Sequence, residues 1–227
     1  MTTSVEAVLE QLKLRGDPEN IKGMSRFGMA TDQRLSVPVP EMRKIAKRVG
    51  KDHALAVALW KTGVQEARIV AALIDVPEEV TEYQMETWVV DLNSWDACDQ
   101  VCLNLFGKTP YAQQEISEWS RREGEFVKRA AYAIIAGLAW HDKKAADDQF
   151  IGYFPVIKSG ATDERNFVKK AVSWALRTIG KRNLELNKAA IQVAREIQEF
   201  DSRAARWIAS DTLRELEGEK VQARLAG

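Results

Sequence analysis

Residues 129–134 read Arg129-Ala130-Ala131-Tyr132-Ala133-Ile134, a basic anchor followed by small and apolar side chains. Comparable openings return downstream as Lys170-Ala-Val-Ser-Trp-Ala and Arg203-Ala-Ala-Arg-Trp-Ile. Upstream they read Arg43-Lys-Ile-Ala, Arg68-Ile-Val-Ala-Ala-Leu and Asp96-Ala-Cys-Asp-Gln-Val. Successive anchors are 25, 28, 33, 41 and 33 residues apart. A period of that size, kept loosely, is the signature of a repeated supersecondary unit with loops of variable length.

The segments around the anchors are rich in Ala, Leu, Glu, Lys and Arg, with apolar residues at helical spacing. Helices are expected at about 4–15, 20–30, 40–49, 53–62, 65–75, 82–92, 95–106, 110–121, 125–139, 143–153, 166–179, 184–197 and 202–217. Asp52, Thr81, Ser94, Thr109 and Asp201 are candidate N-caps, and Pro40 and Pro110 suit a first helical position. Gly180 is expected to stop the 166–179 helix, and Asp142 to cap at the boundary after His141. No stretch alternates with period two. The expected fold is therefore all-α: a right-handed-type α-solenoid of about six HEAT-like helical repeats with a concave basic face, residues 1–227 forming one domain.

The 227 residues suffice for a substantial core, and 45% hydrophobic and 29% charged content is ordinary for a globular chain. The 33 basic and 33 acidic side chains cancel, so only the placement of charge can point to a polyanionic partner. Cys98 and Cys102, at i and i+4, read as small core residues. With His53 and His141 isolated, no metal site is expected. No signal-peptide core or membrane-spanning run is visible, so a reduced, cytoplasmic setting without membrane contact is the expectation.

Five anchors are basic, and the one in the middle of the series is Asp96, with Asp99 three residues on. If the anchors share a surface, a neutral protein carries a basic track with an acidic spot in it, suited to phosphates. The alternative is that they are ordinary surface charges. Aromatics favour the track. Lys170, Trp174, Arg177 and Lys181 form one helical stripe, and Arg203, Arg206, Trp207, Ser210 and Arg214 form another. On the 95–106 helix Trp95 and Asp99 are four apart and share a face. That pair reads either as a core indole beside a solvated acid or as an indole wall beside a working carboxylate.

No glycine-rich phosphate loop, zinc-deaminase motif or nucleophile elbow is present, and the histidines have no evident triad partners. Catalysis, if any, runs on carboxylates, arginines and aromatics without a recognisable cofactor.

The combination Ser94-Trp95-Asp96-Ala97-Cys98-Asp99, Phe126-Val-Lys-Arg-Ala-Ala and Phe167-Val-Lys-Lys-Ala-Val-Ser-Trp-Ala-Leu-Arg177 resembles the DNA alkylation repair family of HEAT-like-repeat DNA glycosylases, the AlkD family. Val37-Pro-Val-Pro-Glu-Met-Arg43 is similar to that family's Pro-x-x-Arg helix start. The resemblance implies excision of cationic N3- and N7-alkylated purines from duplex DNA, without metal or cofactor. It implies that Asp99 is the catalytic aspartate and that Trp95 and Trp174 are the active-site tryptophans. Arg129 matches an arginine on the DNA backbone beside the lesion, and Arg177 continues a Trp-x-x-Arg motif. Phe27 occupies a position where a well-known member has tyrosine, which removes a hydroxyl from any contact there.

The chemistry fits those residue types. An alkylated purine is already cationic and leaves without protonation, so the developing oxocarbenium-like sugar needs mainly an anion, and Asp99 can supply it or orient water. Indole faces attract cations by about 0.5–2 kcal/mol. The expectation is that Trp95 and Trp174 flank the damaged nucleotide, with Lys170, Arg177, Lys181, Arg203 and Arg206 beside Arg129 and Phe27 on the DNA. The protein is expected to act as a monomer. Two other readings are a non-catalytic solenoid that binds DNA structure and a protein-interaction scaffold.

Overall fold

A computed structural model describes residues 3–226. The described residues are helical and form no strand. The chain divides into two compact units, the first running to Ala112 and the second starting at Gln113.

The first unit contains α1 (Val5–Lys13), α2 (Pro18–Met24), α3 (Val39–Val49), α4 (His53–Trp60), α5 (Gln65–Ile74), α6 (Glu82–Val90) and α7 (Trp95–Asn104). Three of the anchors fall on α3, α5 and α7, and these helices pack in series, α3 on α5 and α5 on α7. Small residues permit that approach: Ala67, Ala71 and Ala72 of α5 and Ala97 and Cys98 of α7 are fully buried. Larger apolar residues, such as Ile69, Ile74 and Val101, fill the layer, each stabilising it by about 1.5–3 kcal/mol. Trp60 and Trp88 stack with ring centroids 3.9 Å apart.

The second unit contains α8 (Ala112–Trp119, beginning at the boundary), α9 (Glu125–His141), α10 (Asp147–Ile151), α11 (Phe154–Gly160), α12 (Asn166–Gly180), α13 (Leu184–Gln198), α14 (Arg203–Leu216) and α15 (Glu219–Ala226). The other three anchors fall on α9, α12 and α14, which again pack in series. Anchored α5, α12 and α14 are each the second of a helical pair, packed on α4, α11 and α13. α4 with α5 and α13 with α14 are the closest such pairs. The two Phe-Val-Lys motifs lie against each other: Phe126 of α9 and Phe167 of α12 stack at 5.5 Å.

Side-chain caps hold the starts of α1, α2, α4, α6, α13 and α14. Asp52 accepts from Leu55 N at 2.9 Å and Thr81 from Gln84 N at 3.1 Å, as expected. Three expected caps differ. Ser94 stands at the N-cap position of α7 but turns its hydroxyl elsewhere. Ser202, not Asp201, caps α14. Thr109 hydrogen-bonds back to Phe106 O, and the next helix waits until Ala112, leaving Pro110 outside it.

Other boundaries moved for visible reasons. The helix expected at 20–30 starts at Pro18 under an Asp17 cap and ends in a 3-10 turn at Ser25–Phe27, closed by Gly28 at φ +70°. The helix expected at 143–153 is only the short α10, Asp147–Ile151, and α11, which carries Pro155 in its first turn, lies beyond that span and was not anticipated. Asp142 caps no helix start: it ends α9, its carboxylate accepts from Lys144 N and Ala145 N in the bend that follows, and Ala146 stands at the N-cap position of α10. Gly180 is the last residue of α12 rather than a left-handed stop. Its role is close packing, since a Cβ there would stand 2.5 Å from Leu216 Cδ1 of α14 and 3.0 Å from Ala190 Cβ of α13. α15 was not anticipated. None of the described helices is long and apolar enough to cross a membrane.

Candidate active site and nucleic-acid interface

In the first unit, α7 has two sides. Ala97, Cys98, Val101 and Cys102 are buried, the cysteines not joined in a disulfide, while Trp95 and Asp99 are half-buried one turn apart. Trp95 is held from outside its helix. Its indole Nε1 donates to the main-chain carbonyl of Phe27 at 2.9 Å. Phe27 itself, in the 3-10 turn, is 70% exposed, so its ring is an open aromatic surface.

Asp96 has a different task. Its carboxylate receives both terminal nitrogens of Arg34 at 2.7 and 3.0 Å, a fork-to-fork pair. Ser94 Oγ also donates to it and accepts from Ala30 N at 3.2 Å and Arg34 Nη2 at 3.3 Å. Burial pushes the Asp96 carboxyl up, but the hydrogen bonds and charge of Arg34, with the Ser94 hydrogen bond, outweigh it and hold the group below the usual carboxylate range. Asp96 therefore ties the 28–38 loop to the start of α7. Of the two acids in the motif, Asp99 is the one outside this structural pair.

The same loop is tied to α5. Buried Glu66 accepts from Leu35 N at 2.9 Å and Ser36 N at 2.8 Å. Gln65 Nε2 donates to Asn93 Oδ1 at 2.9 Å. Sequence reasoning missed Arg34, Glu66 and Ser94 as a network. The available signal was Glu66, an acid three and four residues before the apolar Ile69 and Val70 on the buried stripe of α5.

The anchors separate into two kinds. In the first unit Arg43 is exposed, whereas Arg68 lies over the Trp60 ring at 5.1 Å and donates to Asp91 O at 2.9 Å and Asp91 Oδ2 at 3.2 Å. Burial lowers the Arg68 pKa, with Asp91 opposing. Arg68 is thus part of the packing. In the second unit Arg129 is only 5% exposed and donates to Phe167 O at 2.7 Å, joining α9 to the first turn of α12. Lys170 and Arg203 are exposed.

Along α12, Trp174 is half-buried one turn beyond Lys170. Arg177 pairs with Asp211 at 3.3 Å and with Glu215, and Lys181 with Glu215 at 2.6 Å. Burial works to raise the Glu215 carboxyl, yet the two cations lower it overall. On α14, Arg203, Arg206, Trp207, Ser210 and Arg214 are all exposed, with Lys169 Nζ 5.5 Å from the Trp207 ring and Arg206 3.5 Å from Asp201. The expected interleaving of cations and indoles is therefore present on α12 and α14. Its C-terminal cations on α12 are neutralised by α14, and its N-terminal ones are open to solvent.

Comparisons with known proteins agree with this architecture. Residues 8–216 match the family model described as DNA alkylation repair enzyme. No curated protein sequence matches the chain. A solved structure with 19% identity and a TM-score of 0.76 covers 94% of this chain and 96% of its own. It is described as a new family of proteins related to the HEAT-like repeat DNA glycosylases, with affinity for branched DNA structures. At that identity the likeness concerns the fold, which is of the HEAT-like repeat kind. An engineered protein (14% identity, TM-score 0.40, 94% and 91% coverage) and a designed armadillo repeat protein (13%, 0.34, 97% and 79%) match too weakly to add to it.

Proposed function

The chain belongs to the DNA alkylation repair enzyme family, and from that premise we propose that it hydrolyses the N-glycosidic bond of cationic N3- and N7-alkylated purines in duplex DNA. The observation that carries this reading is the division of labour on α7. Asp96 is held by Arg34 and braces the start of α7, and Asp99 stands one turn from Trp95, both half-buried on one side of the helix.

The cationic base needs no general acid, because its alkyl group has already made it a leaving group. Asp99 supplies negative charge to the sugar as the bond lengthens, or orients the water that attacks it. Trp95 provides an indole face for the cationic nucleotide, held in orientation by its hydrogen bond to Phe27 O. Trp174 is assigned the same kind of contact by the family motif. Lys170, Arg203 and Arg206 are assigned to the phosphate backbone; Arg129, which the family motif also places there, is 5% exposed and donates to Phe167 O, so it contributes less. Arg177 and Lys181 contribute less, being partly neutralised by Asp211 and Glu215. Phe27 offers an aromatic surface rather than a hydroxyl.

Release of 7-methylguanine from methylated duplex tests the proposal. Wild-type protein is expected to release the base, and Asp99→Asn to slow release by about 10²-fold or more. Equal rates would sink the assignment of Asp99.

A second reading is supported by the solved relative with affinity for branched DNA: binding of junctions or forks without excision. Wild-type protein that binds a four-way junction more tightly than a linear duplex, yet releases no base, would favour it.

A further inference from the structure

The second unit contains a cavity of about 900 Å³ among the C-terminal ends of α9, α12 and α14 and the helix α15. A volume of this size accommodates a small organic ligand or a nucleotide. None of the residues assigned to base excision lies in it, and of the expected DNA contacts only Lys181 does.

Its walls are basic. Lys143, Lys181, Arg182, Arg214, Lys220 and Arg224 line it, opposed by Asp147, Glu215 and Glu219. Several of these cations are structural. Arg182 donates to Ala139 O at 2.8 Å and Asp142 O at 2.7 Å and lies 4.0 Å over the Phe150 ring. Arg224 donates to Lys181 O at 2.7 Å. Lys181 pairs with Glu215. Asp147 accepts both bonds from Asn183 Nδ2, at 2.9 Å each. These contacts fix the floor. Lys143 and Lys220 are exposed, and their side chains make no hydrogen bond or ion pair among the described residues.

The remaining wall is Trp140, in the last turn of α9 and 60% exposed. Packing does not require an indole there. An open π-face beside uncommitted ammonium groups, in a cavity with excess positive charge, matches a base with its phosphate.

We propose that this cavity is a nucleotide-binding subsite separate from the excision site, with a base stacked on Trp140 and its phosphate held by Lys143 and Lys220. The shared chemistry is a nucleotide, whose source is either an unpaired residue of a DNA strand or a free mononucleotide. The strand source rests on the DNA-binding reading given above, and the free-nucleotide source does not.

The test uses the full chain and the variants Trp140→Ala and Lys143→Ala/Lys220→Ala, all at exposed positions, with folding checked by circular dichroism. Binding is measured by fluorescence anisotropy for a blunt duplex and for the same duplex with a four-nucleotide single-stranded overhang. Calorimetry with dAMP is run in parallel. For a strand subsite, the wild type binds the overhang duplex about tenfold more tightly than the blunt one. Both variants then lose that preference and keep blunt-duplex affinity. For a free nucleotide, dAMP binds the wild type, binding is lost in both variants, and no overhang preference appears. The proposal is overturned if the wild type shows neither overhang preference nor dAMP binding, or if either response survives in both variants. Failure to bind blunt duplex defeats the DNA-binding reading instead, while the dAMP titration still reports on the cavity.

Discussion

The indole N–H of Trp95 donates to the main-chain carbonyl of Phe27 at 2.9 Å. A side chain on α7 is thus oriented by the backbone of a turn 68 residues earlier in the chain. The contact is indifferent to the side chain at position 27, so the aromatic ring there is left to meet solvent or DNA.

From this it follows that Phe27→Ala should leave stability within about 0.5 kcal/mol of wild type, as for other exposed positions. Trp95→Phe, which removes the donor, should cost about 1 kcal/mol. Chemical denaturation of the two variants checks this, and a Phe27→Ala loss as large as that of Trp95→Phe would contradict it.

Asp96 and Asp99 should separate by assay. Asp96→Ala leaves the buried Arg34 guanidinium without its carboxylate, and removing one partner of a buried pair costs about 3–5 kcal/mol. Its defect should appear in the melting temperature. A variant that melts like wild type would mean that Arg34 finds another partner.

Cations on α12 should differ in their effect on DNA binding. Lys170 is exposed, and Lys170→Ala should shallow the salt dependence of duplex affinity by about one unit of slope. Arg177 is occupied by Asp211 and Glu215, and Arg177→Ala should change that slope less and lower thermal stability more. Titrations at a series of salt concentrations, with parallel melts, test both statements.

Asp163 makes an acid-sensitive clasp. Hydrogen bonds from Arg165, with help from Lys128 and against the opposing effect of burial, bring its carboxyl from 3.8 down to about 2. Because the folded value is depressed, the stabilisation is complete above about pH 4 and disappears as the pH falls towards 2. Asp163→Asn should lower stability at pH 7 and flatten the fall in stability over that window, measured by urea unfolding at each pH.

Gly160 permits α11 to close on α9. A Cβ at this position would stand 1.9 Å from Tyr132 Oη and 2.5 Å from Tyr132 Cζ, and Tyr132 is fully buried. Gly160→Ala should therefore cost about 1–3 kcal/mol or more through overpacking. Tyr132→Phe in the same background should restore part of the loss, since it removes the nearest atom.

Much of this was legible beforehand because helices announce themselves locally. Apolar spacing, the Asp52 and Thr81 caps and the anchor period placed most helices. The anchored ones fell where expected, on α3, α5, α7, α9, α12 and α14. Capping bonds, rather than the helix start, differed where a side chain had a competing partner. Ser94 is the clearest case, since its hydroxyl serves Asp96 and the 28–38 loop rather than its own helix. At 143–153 only α10 formed, and the helix that Pro155 opens, α11, was missed.

The candidate site divides along the same line. By itself the sequence determined that the chain is all-helical and repetitive, and that Trp95 and Asp99 share one side of a helix, because helical periodicity depends only on nearby residues. Only the tertiary structure decided which charges are available. It bound Asp96 to Arg34, Arg68 to Asp91, and Arg177 with Lys181 to Glu215, while leaving Lys170 and Arg203 in solvent. The physical reason is that these partners lie from 23 to 62 residues apart in the chain. Whether a charge meets water or a counter-charge depends on which helices are brought side by side, and no local pattern records that.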